Sequence, residues 1–179
     1  MDRSTLTESP SATALRSGLR WLLLCALLLA GCRADQATKT WARGSFQDRP
    51  MTVVPQVLEF RYAENRAIAF SMFHEMPDKA RVPLIFGLTS LALIALLSLI
   101  WTMRRQGVTR LVPLALILAG ALGNLQDRLA HGYVVDFVHV HWRETWSFPI
   151  FNLADSLITV GTTLLLIEFV FRPDSKSSA

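Results

Sequence analysis

Two carboxylates occupy positions where a charge is expensive. Asp155 lies about seven residues inside an apolar run from about Phe148 to Phe171, which as a helix puts it roughly 10 Å below the membrane boundary. A carboxylate at such depth costs about 2.5 to 3.5 kcal/mol on insertion scales, so a function is its default reading. Asp136 stands between Val135 and Phe137, just after another apolar run. Two carboxylates held close together cannot both ionise cheaply, and one keeps its proton. One can then draw a proton from water while the other donates to a carbonyl oxygen. This is hydrolysis of a peptide bond by a pair of aspartates, and it needs no metal.

Further polar residues gather around these acids. Asn152 precedes Asp155 by three positions and shares its helix face. Asn124, Asp127 and Arg128 follow an i, i+3, i+4 spacing and project from one side of their helix. The small residues Ala119, Gly120 and Gly123 let a neighbouring helix approach there. His139, His141 and Glu144 offer ligand chemistry but lack a second ligand cluster. A wet interfacial loop is the preferred reading, and neither a metal nor a cofactor is expected. Glu168, near the far end of its span, reads as an interface charge. Leu29-Ala-Gly-Cys32 looks like the cleavage box of a bacterial lipoprotein precursor, which would make the chain itself a lipoprotein; three later spans are unusual for such a precursor.

These residues need elements to position them, and the composition says which. Of 179 residues 51% are hydrophobic and 18% charged, against about a quarter charged in a soluble domain. A disordered chain, a collagen and an ordinary cytosolic enzyme are excluded. Cys25 and Cys32 lie in one apolar stretch; on a helix they stand about 10 Å apart along the axis, too far for a disulfide. A bilayer core about 30 Å thick takes roughly 20 apolar residues per helix. Four such spans fit, at about 19–41, 82–103, 111–130 and 148–171, the second with 22 residues and no charge. They make up a single membrane domain, 19–172, with a flap at 42–81, a loop at 131–147, and tails at 1–18 and 173–179.

Alternating apolar and polar residues from Met51 to Tyr62 and from Ile68 to Phe73 predict short strands. The expected fold is therefore an all-α membrane bundle of four transmembrane helices with a small β-rich flap. Arg16, Arg20, Arg104, Arg105, Arg110, Arg172 and Lys176 fall on the side shared by both termini, which the positive-inside rule assigns to the cytoplasm. The flap is then extracytoplasmic, with Trp41, Trp142 and Trp146 at headgroup depth. This asymmetry, with further Arg on the outer loops, accounts for the net charge of +4. No nucleic-acid partner is expected, and no feature argues against a monomer among membrane lipids.

Five motifs in order make the chain resemble the bacterial lipoprotein signal peptidases, also called signal peptidase II. They are Asp35-Gln36 with Lys39; Asn65 with Ala69-Phe70-Ser71; Gly120-Ala-Leu-Gly-Asn124 with Asp127-Arg128; Val134-Val-Asp-Phe137; and Phe151-Asn-Leu-Ala-Asp155-Ser156. The resemblance implies an aspartic endopeptidase of the bacterial inner membrane, its active site near the periplasmic face. Such an enzyme cuts diacylglyceryl-modified prolipoproteins just before the lipidated cysteine and is a target of the cyclic peptide globomycin. It also implies a catalytic pair, Asp136 and Asp155. Asn65, Asn124, Arg128 and Asn152 would contact substrate or hold the acids, and Asp35, Lys39 and Asp127 would support the site. The chain departs from the family at Ala67, where glycine is usual, and at Ala119, where glycine commonly precedes Gly120. These departures motivate the alternative of a non-catalytic prolipoprotein-binding or small transporter-like membrane protein.

Overall fold

The computed structural model describes residues 10–66 and 77–171. Residues 1–9, 67–76 and 172–179 lie outside them, and with them Ala67, the Ala69-Phe70-Ser71 motif, the strand expected over Ile68 to Phe73, and the tail charges Arg172 and Lys176. Four helices and four strands follow in the order α1 (Pro10–Phe46), β1 (Met51–Val54), β2 (Leu58–Asn65), α2 (Asp78–Met103), α3 (Val108–His131), β3 (Val134–Trp142), β4 (Trp146–Ser147) and α4 (Leu153–Phe171). All four helices contain a stretch long and apolar enough to cross a membrane. Leu22, Leu91, Ile94, Leu166 and many like them remain exposed, as lipid-facing side chains must. The chain is a multi-pass membrane protein.

Helix α3 packs against the other three helices and carries more buried positions than any other helix. Close approach is possible because the residues in its seams are small. A methyl on Gly120 would collide with the carbonyl oxygen of Ala154 in α4, and one on Gly123 with the carboxylate of Asp35 in α1. Ala119 is fully buried, and its extra methyl faces Gly31 of α1, where an added Cβ would come within 2.9 Å of it. The alanine at 119 is thus accommodated by a glycine across the seam.

Helix boundaries differ from the apolar runs in instructive ways. Helix α1 starts at Pro10, inside the stretch expected as a tail, with proline at the first helical position where its missing amide costs nothing. It also continues past Trp41 to Phe46, because the polar Asp35 and Lys39 pair with each other one turn apart, and Ala42 and Phe46 bury against the sheet. Helix α4 starts at Leu153 rather than near Phe148. The intervening residues pair with β3 instead: the Phe148 amide donates to the Val140 carbonyl at 2.8 Å, and the Phe151 amide to that of Val138 at 3.0 Å. Asp155 consequently sits in the first turn of α4, not some 10 Å down the span.

The stretch expected as a loop at 131–147 also contains a strand. Val134, Val135, Val138 and Val140 give β3 its β-branched character, and the sheet order β1-β2-β3-β4 makes β3 an inner strand. Strand β2 runs antiparallel to it, pairing Glu59 with His139 and Ala63 with Asp136. Between these pairs the register shifts by one residue, a bulge of the kind that re-aims side chains near functional sites. Phe46, Phe60, Trp41 and Phe137 make edge contacts that fasten the sheet to the end of α1.

Candidate active site

The start of α4 organises the site. A helix leaves its first amides without intrahelical partners, and Asn152, just before the helix, accepts the Asp155 amide on its side-chain oxygen at 3.0 Å. The Asp155 carboxylate reaches back to the Asn152 amide at 3.2 Å. This reciprocal exchange is a capping box, and it fixes where the Asp155 carboxylate points. The Ala154 amide is taken by Asp35 of α1 at 2.9 Å. Asp35 therefore caps a helix more than a hundred positions later in the chain.

Asn152 also holds the second acid. Its side-chain amide donates to Asp136 Oδ1 at 2.6 Å, while Asn65, from the end of β2, donates to Asp136 Oδ2 at 2.9 Å. The Asn65 contact follows from strand geometry: Ala63 lies directly opposite Asp136, and Asn65 is the diagonal neighbour two residues on. Asp155 and Asp136 are thus bonded to one residue, the buried Asn152. Burial, and secondarily the charge of Asp155, push the Asp136 carboxyl up to about 7.

Asn124 links this pair to the helices beneath. Its amide nitrogen donates to Asp155 Oδ1 at 2.8 Å, and its oxygen accepts from Lys39 Nζ at 2.9 Å and from Asn152 at 3.2 Å. Lys39 is wholly buried, so each of its three ammonium protons needs an acceptor. Asp35 at 2.8 Å and Asp127 at 3.2 Å supply the other two. The remaining carboxylate capacity is also used, since Asp127 Oδ2 accepts the Val135 amide at 3.0 Å and so ties α3 to the strand bearing Asp136. Arg128 donates to the Asn124 carbonyl at 3.2 Å and faces the charges of Asp155, Asp136 and Asp127.

All nine residues singled out in the sequence therefore belong to one connected network drawn from α1, β2, α3, β3 and α4. Two members carry no role in the sequence reading. Gln36 lies about 3.3 Å from Asp127 Oδ1 and from the Gly123 carbonyl, and Arg43 lies 3.6 Å from Asp127. Arg43 continues the i, i+4 series Asp35, Lys39, so helical spacing alone signals it. Away from the network, Cys32 faces the Ala119 carbonyl at 3.6 Å within the continuous α1, and Glu168 pairs with Arg110 at 3.5 Å. His139 and His141 lie on β3 beside Glu59 rather than beside Glu144, in a strand rather than a loop.

Four helices of membrane-spanning length with two carboxylates hydrogen-bonded to one residue at their sheet-covered end make a candidate acid–base centre in a membrane protein. The family model for Signal peptidase (SPase) II matches residues 26–171. Lipoprotein signal peptidase from Pseudomonas fluorescens strain Pf0-1 is 38% identical over 162 residues, covering 89% of this chain and 92% of that protein. The Clostridium tetani lipoprotein signal peptidase is 33% identical, covering 83% and 92%. A bacterial membrane enzyme solved by the in meso method at 2.3 Å resolution superposes with a TM-score of 0.71 at 27% identity, covering 88% of this chain and 93% of that one. The chain belongs to the signal peptidase II family of aspartic-type membrane proteases.

Proposed function

We propose that this chain removes the signal peptides of diacylglyceryl-modified prolipoproteins, cutting just before the lipidated cysteine, with Asp136 and Asp155 as the catalytic pair. The observation that carries the reading is the double attachment of both acids to the buried Asn152. Asp136 carries the shared proton and donates it to the scissile carbonyl oxygen. Asp155 takes a proton from the attacking water. Asn65, Asn124 and Asn152 hold the carboxylates, and Arg128 contacts substrate or steadies the charge. Asp35, Lys39 and Asp127 form the buried support.

A lipid-anchored substrate brings its own positioning. Its acyl chains and its signal helix both lie in lipid, so its scissile bond arrives near the end of the helices, where the acids stand. Positioning removes a large part of the barrier to a bimolecular step. In this reading the protein is a monomer of the bacterial inner membrane with both termini in the cytoplasm and the site near the periplasmic face. Arg20 of α1 donates at 2.9 Å to both the Arg104 and Gln106 carbonyls, which puts these basic residues at the helix ends opposite the sheet and supports that orientation.

The test is cleavage of a lipid-modified prolipoprotein by purified Asp136→Asn and Asp155→Asn variants. Each is expected to lose about 10² to 10⁴-fold in rate while still inserting in the membrane. Full activity in either variant would sink the assignment of the pair. Wild-type cleavage is expected to continue in the presence of a chelator and to be blocked by globomycin.

A further inference from the structure

Among the described residues, one group of metal-ligating side chains lies outside the two-aspartate network, on the sheet. Glu59 of β2 pairs directly with His139 of β3, and His141 lies two residues along the same strand. Strand geometry sends residues i and i+2 to one face, and an opposite partner to the same face. Three ligand-bearing side chains from two strands are thus brought together by backbone pairing. One ligand atom from each lies within 4.8 Å of the others. The two imidazoles stack with centroids 4.9 Å apart and planes 18° from parallel.

The hydrogen bonds around the group prepare its donor atoms. His139 Nδ1 is 2.9 Å from Glu59 Oε1, while its Nε2 is 2.7 Å from Ser147 Oγ. A carboxylate only accepts, so without metal Nδ1–H donates to Glu59 Oε1 and Ser147 Oγ–H donates to Nε2; a metal on Nδ1 takes the other tautomer, with the proton on Nε2 and donated to Ser147. Ser147 can pass its own hydrogen toward the Phe148 carbonyl at 3.5 Å. His141 Nδ1 is 3.2 Å from the Arg143 carbonyl, an acceptor only, so that nitrogen carries the proton and Nε2 keeps the lone pair. Fixing one imidazole nitrogen by an outer hydrogen bond is the usual way a protein orients a histidine ligand.

We propose that Glu59, His139 and His141 form a zinc-binding site on the sheet, separate from the two-aspartate centre. Two imidazoles and a carboxylate suit zinc, with metal–ligand distances of roughly 2.0 to 2.2 Å. The three donor atoms, within 4.8 Å of one another, would close onto one ion by rotation about the side-chain torsions. Arg61, 3.6 Å from Glu59 Oε1 and half exposed, can turn to solvent when the metal takes that oxygen. A fourth position opens on a depression of about 630 Å³ whose lining includes Glu59, His141 and Glu144, leaving room for water or for Glu144. The ion would clip β2 to β3, the strands that carry Asn65 and Asp136, and its role is to hold the sheet.

The test is a metal count on the full-length protein in detergent, purified through a tag without histidine and dialysed against about 10 µM free zinc, which fills a site of micromolar affinity. One zinc per chain is expected in the wild type, with a raised melting temperature. His139→Ala and His141→Ala should lose it, and Ser147→Ala should bind about tenfold more weakly. Asp136→Asn should keep it. X-ray absorption of the zinc-loaded wild type, which depends on no variant, should show imidazole and oxygen ligands without sulfur. A wild type that binds no zinc, a sulfur ligand, or full binding in a His139→Ala/His141→Ala variant would each overturn the proposal.

Discussion

The chemistry depends on how each acid is held. Asp136 keeps its proton up to about pH 7 in the folded protein because burial and the neighbouring Asp155 disfavour a second charge, whereas an unfolded aspartate loses its proton near pH 4. Between these values the folded state binds more protons, so stability falls as pH rises through that window and levels off above about 7. Thermal melts across this range should show the decline in the wild type and not in Asp136→Asn. In the proposed mechanism Asp136 is the protonated partner, so kcat/KM is expected to drop on the alkaline side with a midpoint of about 7. A flat profile through neutral pH would contradict that role. Beneath the acids, Lys39 neutralises two carboxylates in a fully buried setting. Lys39→Leu leaves Asp35 without a cation and Asp127 with only the more distant Arg43, and should cost about 3 to 5 kcal/mol, measured by thermal unfolding in detergent.

At the scale of elements, the site depends on where α4 begins. The pairing of Phe148 and Phe151 with β3 delays the helix until Leu153, and the capping box then places Asp155 in its first turn. The distance between α3 and α4 is set by Gly120, against which the Ala154 carbonyl rests. Gly120→Val must push the helices apart at the level of the acids. A loss of about 1 to 3 kcal/mol in stability is expected, together with a fall in kcat larger than any change in KM. The strand carrying Asp136 was not legible as such. Its period-two pattern is confined to Val138 to His141, since the apolar pairs Val134-Val135 and Phe137-Val138 break it, and a bilayer-centred reading assigns what lies between spans to loops. A partner strand, β2, is required before those residues become a sheet.

For the whole molecule, the proposed orientation rests on the basic residues at one end. Arg20 bonds the carbonyls of the turn between α2 and α3, and Arg110 meets Glu168 near the end of α4. The sheet and the acids lie at the other end. A C-terminal green fluorescent protein fusion is expected to fluoresce and an alkaline phosphatase fusion to be inactive; the reverse result would reject a cytoplasmic C-terminus. The order of five motifs along the chain was enough to find the family, which the match over residues 26–171 bears out.

Sequence alone determined the number of spans and the family, and it named nine residues that the structure joins in one network, because apolar length and motif order are written along the chain. A run of apolar residues is long enough for lipid or it is not, and a carboxylate within such a run is costly whatever surrounds it. What only the tertiary structure decided is who holds whom. Asp35 reaches the amide of Ala154, Asp127 that of Val135, and Asn152 both acids. These bonds join residues up to 119 positions apart. They form because buried helix ends and buried charges must find partners in space, and spacing along a single helix or strand cannot say which distant residue will supply them.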